Sequence, residues 1–234
     1  MPMISIIVPV YNEENTIEKV VSSLESLPLD KEILLINDGS TDSTGDIVAK
    51  YNFKNGVKVI NHQRNKGKGT ALITGIRASL GDIIIFQDAD LEYDPQEIPR
   101  IVKFMQSTGV SACYGTRLGY LLTSKFLYRS NYFANKFLTF LTNLFTGLNL
   151  TDMETGFKAF RRDALKGIEL CEKGFGIEPE ITIKLAKKGI QIEEVPISYA
   201  ARSKKEGKKI RFSDGIKAIF CITRYGLWPN LETN

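Results

Sequence analysis

Apolar residues fall in two rhythms that alternate along the chain: short continuous runs, and stretches with an apolar residue every third or fourth position. The runs are Ile4–Val10, residues 32–36, Val57–Asn61 and Ile83–Phe86. Runs of this length predict parallel strands covered on both faces. Between the first two, Ile17, Val20, Val21, Leu24 and Leu27 form one helical stripe, with Asn15 expected as N-cap, Glu18 three residues on and Pro28 as the stop. A second helix, residues 43–51, should follow the turn Asn37-Asp38-Gly39-Ser40-Thr41-Asp42. A third, residues 70–80, should end at Gly81. The fourth run leads straight into Gln87-Asp88-Ala89-Asp90. Asp94-Pro95-Gln96-Glu97 then supplies an N-cap, an N1 proline and a capping-box glutamate for the next helix.

Strand alternating with helix predicts an α/β fold with right-handed crossovers and a mostly parallel sheet flanked by helices. Ligands bind such sheets beyond the carboxyl ends of the strands. Each of those ends is polar, acidic or glycine-rich: residues 11–13, Asp38-Gly39-Ser40, residues 66–69 and residues 88–90. The four loops should converge on one crevice. In an extended chain Asp88 and Asp90 would point the same way and offer oxygens to one shared point. Such oxygens suit magnesium or manganese, hard cations that arrive with phosphates and use one or two protein carboxylates. A lone Asp-X-Asp is also found as a polar turn, so its place after an apolar strand is what gives it weight. Neither Gly-X-Gly-X-X-Gly after the first strand nor Gly-X4-Gly-Lys-Ser/Thr anywhere is present. His62, the single histidine, is expected to be a loop residue.

The second half abandons the simple alternation. Residues 110–114 predict a strand followed by Gly115-Thr116-Arg117, which puts a guanidinium at the same sheet edge. Over residues 120–150 the charges are Lys125, Arg129 and Lys136, and Leu138, Leu141, Leu144 and Phe145 recur at helical spacing. Either this is a core helix or a hairpin of helices lies in a membrane interface, and the pattern leans to the second. Phe175-Gly176-Ile177-Glu178-Pro179-Glu180 should open a helix that runs to Lys188 and ends at Gly189, ahead of a strand at residues 190–196. Residues 203–211, Ser-Lys-Lys-Glu-Gly-Lys-Lys-Ile-Arg, are the densest basic run. As a solvated loop it needs no explanation, but beside an anionic leaflet each cation is worth about 1 kcal/mol. An amphipathic helix at residues 213–225 follows, then Trp228.

With 234 residues, 43% hydrophobic and 25% charged, the chain has the composition of a soluble globular protein of one large or two small domains. A net charge of +4 gives no reason to expect a nucleic-acid partner. Cys113, Cys171 and Cys221 lack metal-ligand spacing and are expected to be reduced thiols of an intracellular protein. The first residues lack the features of a secretory signal, and no run reaches the roughly 20 apolar residues of a spanning helix.

Four motifs carry a resemblance: Pro9-Val10-Tyr11-Asn12-Glu13, Asn37-Asp38-Gly39-Ser40-Thr41-Asp42, Asn65-X-Gly67-Lys68-Gly69 and Asp88-Ala89-Asp90. In this order they resemble the nucleotide-sugar-binding half of family 2 glycosyltransferases, which have a GT-A fold. The resemblance implies that Tyr11, Glu13 and Asp38 hold the base, Asp88 the ribose or metal side, and Asp90 the metal. Pro9, Lys68 and Ala89 join the donor site on the same grounds. Asn37 stands where many relatives have aspartate, so that position is not expected to be an essential ligand. For Glu13 and Asp38 taken singly, turn and cap duty explains the residue equally well.

Asp152-X3-Gly156-Phe157-Lys158, Phe175-Gly176-X-Glu178-Pro179-Glu180 and Tyr199-X2-Arg202-X4-Gly207-Lys208-Lys209-Ile210 narrow the resemblance to the polyprenyl-phosphate branch, typified by dolichyl-phosphate mannose and glucose synthases. This implies a GT-A domain over residues 1–234, with a nucleotide-sugar half (1–117) and an acceptor and membrane-facing half (118–234) ending in amphipathic interfacial helices. Arg117 and Arg202 would meet phosphates, and Arg129, Lys208 and Lys209 would face the lipid phosphate. Glu92 matches a position where such synthases often have a glutamine metal ligand.

The expected reaction is an inverting, Mg2+- or Mn2+-dependent transfer of a hexose from a nucleotide-diphospho-sugar to a polyprenyl phosphate, by a protein peripheral on the cytoplasmic face of a membrane. Asp90, Arg117, Asp152 and Arg202 are the candidate catalytic residues. Transfer to a saccharide or protein hydroxyl is the alternative within the class, with Asp152 as base; Asp152 is otherwise a cap or a buried partner of an arginine. A module that binds nucleotide-sugars and docks on membranes without catalysis is the alternative outside it.

Overall fold

A computed structural model describes residues 2–51, 56–117, 129–202 and 212–227, with the backbone alone at 129–131, 212 and 213. The Arg129 side chain, Lys208, Lys209, the rest of the 203–211 run, Lys125 and Trp228 therefore lie outside the described residues.

The predicted alternation is present. Strands β1 (Ile4–Val10), β2 (Lys31–Asn37), β3 (Val57–Asn61) and β4 (Ile83–Phe86) are joined through helices α1 (Ile17–Glu25), α2 (Thr44–Ala49) and α3 (Lys68–Ala78). After a short turn of 3-10 helix at Pro95–Glu97 come α4 (Ile98–Thr108), β5 (Ala112–Thr116) and α5 (Arg129–Thr146). The chain continues through β6 (Lys158–Arg161), α6 (Arg162–Leu165), α7 (Ile177–Lys187), β7 (Ile192–Pro196) and α8 (Phe212–Leu227). One seven-stranded sheet runs in the order β3-β2-β1-β4-β6-β5-β7, parallel throughout except that β6 is antiparallel to both its neighbours.

Burial on both faces explains the apolar runs. Along β1, Ile4, Ile6, Val8 and Val10 join one core with the α1 stripe Ile17, Val20, Val21 and Leu24, while Ile7 points to a second core with Leu72 of α3 and Ile181 of α7. Each such side chain contributes roughly 1.5–3 kcal/mol of burial. Gly75 lets α3 sit directly on β1, because a Cβ there would fall 2.3 Å from Ile7 Cγ2.

Several local expectations are corrected. Helix α1 starts after Thr16 rather than Asn15, and the Thr16 hydroxyl caps nothing in the helix; it donates 2.8 Å to the Ala89 carbonyl. Asp94 does cap Gln96 N at 2.9 Å, but Glu97 does not close a capping box: its carboxylate accepts from Ser198 N and Oγ at 3.1 and 3.0 Å, tying α4 to the chain after β7. Strand β5 begins at Ala112, two residues beyond the expected 110. Strand β6 went unforeseen, since a four-residue strand between two β-partners has too few positions to show a period.

Helix α5 fits neither reading offered for residues 120–150 alone. Leu138 is buried and Leu141 and Phe145 pack on the same core, whereas Phe133, Phe137, Phe140 and Leu144 are 52–68% exposed. Helix α8 packs beside it, Gly226 against Phe145, and exposes Ile216, Ile219, Phe220 and Leu227. Among the described residues no helix is long and apolar enough to cross a membrane. Cys113, Cys171 and Cys221 form no disulfide among the described residues.

Because Ile7 is locked in the core, Gly75→Ala is expected to lower stability by about 1–3 kcal/mol, in spite of the helix propensity alanine adds. The measurement is urea unfolding, with the midpoint falling and the slope unchanged.

Candidate active site

Strand β4 ends at Phe86, and the chain turns sharply through residues 87–92 with Leu91 at φ 60°. A bulky residue in that left-handed region is uncommon and is held only where the surroundings dictate it. Here they do: Asp90 Oδ1 accepts from Glu92 N at 3.1 Å, and the Ala89 and Asp90 carbonyls accept from Thr16 and from Arg202 Nε at 2.8 Å each. The turn projects Asp88, Asp90 and Glu92 at the carboxyl edge of the sheet. Burial, followed by the charges of Asp88 and Glu92, pushes the Asp90 carboxyl up to about 7.

Asp88 faces Lys68, whose ammonium lies 2.8 Å from Oδ1 and also 3.2 Å from Glu178 Oε1 on α7. Burial works against the charge on Lys68, but Asp88 and Glu178 together outweigh it and raise its pKa. The other oxygen of Glu178 is 2.6 Å from Lys158, which is wholly buried, also donates to the Met153 and Thr155 carbonyls, and sits 4.6 Å over the Tyr114 ring. The close approach depends on glycine: a Cβ at Gly156 would fall 2.3 Å from Asp88 Oδ2, and one at Gly69 would fall 2.1 Å from the Glu172 carbonyl.

Two arginines close the site. Arg117 donates through Nε and Nη2 to Asp152 at 2.6 and 2.7 Å and through its backbone N–H at 3.0 Å, while its guanidinium lies 5.0 Å from the Tyr199 ring. Asn135 of α5 adds a bond to Asp152 at 2.8 Å. Burial alone would raise the Asp152 carboxyl, yet Arg117 and these donors hold it below the usual range. A carboxylate so held is a weak base, so the geometry gives Asp152 the duty of an arginine partner.

Arg202 makes a forked pair with Glu13, Nη2 to Oε2 at 2.9 Å and Nη1 to Oε1 at 3.3 Å. Its backbone N–H and the Tyr199 hydroxyl donate to the two oxygens of Glu92 at 2.9 and 2.7 Å. Glu92 thus anchors the segment after β7 to the Asp90 turn.

On the other flank, Asp38 is 2% exposed and accepts from Gly67 N at 2.7 Å and Lys66 N at 3.0 Å, and its Oδ1 lies 2.6 Å from His62 Nδ1. Asp38 thereby shapes the 62–67 loop, and Gly39 at φ +66° lets Arg64 pass. Asn37 spans Asn61 and Ser40. Asn12 Oδ1 accepts from Thr41 N at 2.8 Å and joins the first two loops, with Pro9 and Tyr11 half-buried beside it.

The structure therefore brings Glu13, Lys68, Asp88, Asp90, Glu92, Arg117, Asp152 and Arg202 to one rim. The sequence assigned no part to Thr16, Tyr93 or Asn135, and none to Lys158, Glu178 or Tyr199 although all three lay inside quoted motifs. Tyr93 accepts from Gly156 N at 2.9 Å and its ring lies 5.3 Å from Tyr199. The donor set fits a hard cation. Asp88 and Asp90 are two carboxylates whose mutual repulsion a divalent ion would relieve. Among the described residues no group of three or more His, Cys, Asp or Glu is gathered to hold a metal, so the remaining ligands would be phosphate and water oxygens.

Residues 5–168 match the model of the family "Glycosyl transferase family 2". The chain is 29% identical to an undecaprenyl-phosphate mannosyltransferase of Micrococcus luteus, over 97% of this chain and 96% of that one. It is 30% identical to a dolichol-phosphate mannosyltransferase of Pyrococcus furiosus, over 88% of this chain but 58% of the relative, so it spans little more than half of that protein. In three dimensions it is similar to glucosyl-3-phosphoglycerate synthase of Mycobacterium tuberculosis, crystallised with Mn2+, UDP and phosphoglyceric acid. The TM-score is 0.73 at 22% identity, covering 98% of this chain and 80% of that one. That likeness shows the fold, a GT-A α/β architecture. With the acidic turn, the forked arginines and the matched family model in agreement, the chain belongs to glycosyl transferase family 2 and is a glycosyltransferase.

Proposed function

We propose that this glycosyltransferase moves a hexose from a nucleotide-diphospho-sugar to a polyprenyl phosphate, at the cytoplasmic face of a membrane, with one inverting displacement. The observation that carries the reading is helix α5. Its outward face exposes Phe133, Phe137 and Phe140, while Asn135 on the same helix holds Asp152 and through it Arg117. A greasy shelf is thereby wired to a phosphate-binding cation, as a lipid with an anionic head requires. The names of the Micrococcus and Pyrococcus relatives agree with such an acceptor.

Tyr11, Glu13 and Asp38 would line the base end of the donor, with Pro9 and Ala89 as backbone walls and Lys68 fixing Asp88. Asp88 and Asp90 would hold Mg2+ or Mn2+, with Glu92 fixing the turn beneath them; the ion, when bound, supplies charge neutralisation at the diphosphate. Arg117 spends two guanidinium donors on Asp152 and keeps others of its fork for a phosphate oxygen. Arg202 can trade Glu13 for the departing diphosphate, a charge-assisted bond of the kind that stabilises a leaving group. An acceptor phosphate has its second pKa at about 6, so it arrives anionic and needs no strong base. Asp152, held ionised by Arg117, suits this acceptor better than a hydroxyl that must lose a proton. Arg129, Lys208 and Lys209 are assigned to the lipid phosphate, and residues 1–117 and 118–234 to the donor and acceptor sides.

A donor panel of GDP-mannose, UDP-glucose and UDP-N-acetylglucosamine with undecaprenyl phosphate, read by mass spectrometry, should yield a polyprenyl-phosphate hexose. Nucleoside diphosphate should appear only when the lipid is present, and Asp90→Ala should reduce turnover by at least about a hundredfold while circular dichroism is unchanged. Turnover that survives in Asp90→Ala would remove the metal assignment. For the membrane face, the double variant Phe140→Ser/Phe220→Ser should float with anionic liposomes several-fold less than the parent chain. Equal flotation of the two would detach the apolar face from the membrane.

A further inference from the structure

Glu154 has no part in the chemistry described so far, yet it sits in the middle of it. Asp152, two residues before, holds Arg117, and Gly156, two residues after, lies against Asp88. The carbonyls on either side of Glu154, those of Met153 and Thr155, are both pinned by the buried Lys158 ammonium, so the backbone here has little freedom. The residue is half-buried, and its Oε1 is shielded from solvent with no hydrogen-bond partner among the described residues. Among the described residues the charged groups that act on it most are Glu178, Lys158, Arg117 and Asp152, all of them members of the site. Burial, then the charge of Glu178, pushes the Glu154 carboxyl up to about 7.

A shielded carboxylate oxygen without a donor is costly, and in a native fold it asks for a ligand. The charges around it say which kind. A phosphate would meet three carboxylates, those of Asp152, Glu154 and Glu178. A second cation would meet Lys158 and Arg117. What remains is a neutral group rich in hydroxyl donors. The transferred hexose is such a group, and it must lie between the diphosphate and the acceptor, beside the 152–156 loop that carries Glu154 between the residue that holds Arg117 and the residue that meets Asp88. We propose that Glu154 is a specificity residue whose carboxylate accepts hydrogen bonds from hydroxyls of the transferred sugar. The proposal rests on the donor site described under the proposed function.

The test separates the sugar from the nucleotide. Calorimetry with Mn2+ compares UDP with UDP-glucose and GDP with GDP-mannose, for the parent chain and for Glu154→Gln, which keeps the shape and removes the charge. Steady-state rates with donors lacking one ring hydroxyl complete the set. A site built around a substrate hydroxyl rejects the analogue that lacks it. The parent chain should therefore disfavour at least one deoxy donor by roughly tenfold or more in kcat/KM. In Glu154→Gln that discrimination should shrink to about threefold or less, with affinity for the nucleoside diphosphate unchanged. Discrimination that is the same in both proteins overturns the proposal. Loss of nucleoside-diphosphate affinity in the variant also overturns it, because Glu154 would then be holding the loop. If neither nucleotide binds the parent chain, the donor site falls and the proposal with it.

Discussion

A line of alternating charges, Asp88, Lys68, Glu178 and Lys158, runs from the rim of the sheet into its interior, and the rest of the site is built on it. Each of the three contacts is 3.2 Å or shorter, and Lys158 is wholly buried. Isolated charges do not survive at such depth; removing one partner of a buried pair costs about 3–5 kcal/mol. The line also crosses the chain. Lys68 and Asp88 come from the first half, Glu178 and Lys158 from the second, and glycines let the two halves close up: a Cβ at 67 or 69 would strike the Lys173 or Glu172 carbonyl, and one at 156 would strike Asp88 Oδ2. What the alternation achieves is an Asp88 paired with a cation, beside an Asp90 whose carboxylate has no ion pair among the described residues and accepts from the Glu92 backbone N–H.

That asymmetry organises the rim. Among the described residues Asp90 has the carboxylates of Asp88 and Glu92 as neighbours and no forked arginine of its own, and the charge of Arg202 offsets them only in part. Asp152 and Glu13, by contrast, each carry an arginine fork. The same chemistry, a carboxylate and a cation, therefore serves two ends. Where the pair is closed it positions an arginine; at Asp90, where no such pair is formed among the described residues, it suits the cation proposed there. Glu92 positions Arg202 without an ion pair, since its two oxygens accept from the Tyr199 hydroxyl and the Arg202 backbone N–H.

The sheet and the rim could be read from the sequence because their signals are local. Ile4–Val10 and Ile83–Phe86 are apolar runs bounded by polar turns, and turn residues such as Asn37 to Asp42 announce strand ends directly. The partners of the acidic residues could not be read, because they are distant in the chain. Asp38 meets His62 and Gly67, Glu13 meets Arg202 across 189 positions, and Glu97 leaves its own helix cap for Ser198. Thr16 shows the same limit in miniature: a residue placed to cap a helix instead holds the turn at Ala89. The antiparallel β6 was hidden because its four residues, Lys158 included, are covered by both neighbours and show no alternation.

Helix α5 shows why a hydrophobic count cannot assign a side. Leu138 and Phe145 face the core and Phe137, Phe140 and Leu144 face outward, so apolar residues occur on both sides of the helix and no single stripe marks the buried one. The polar residues break the tie. Asn135, Lys136, Thr139 and Asn143 all bond inward, to Asp152, Thr151, Met153 and Leu150, which fixes the helix's rotation and turns the phenylalanines out. Together with Ile216 and Phe220 of α8 they form an exposed apolar face of the kind that marks an interaction surface. The bonds that put Asn135 on Asp152 are the ones that expose Phe133, Phe137 and Phe140, so the arginine and the apolar face come as one piece.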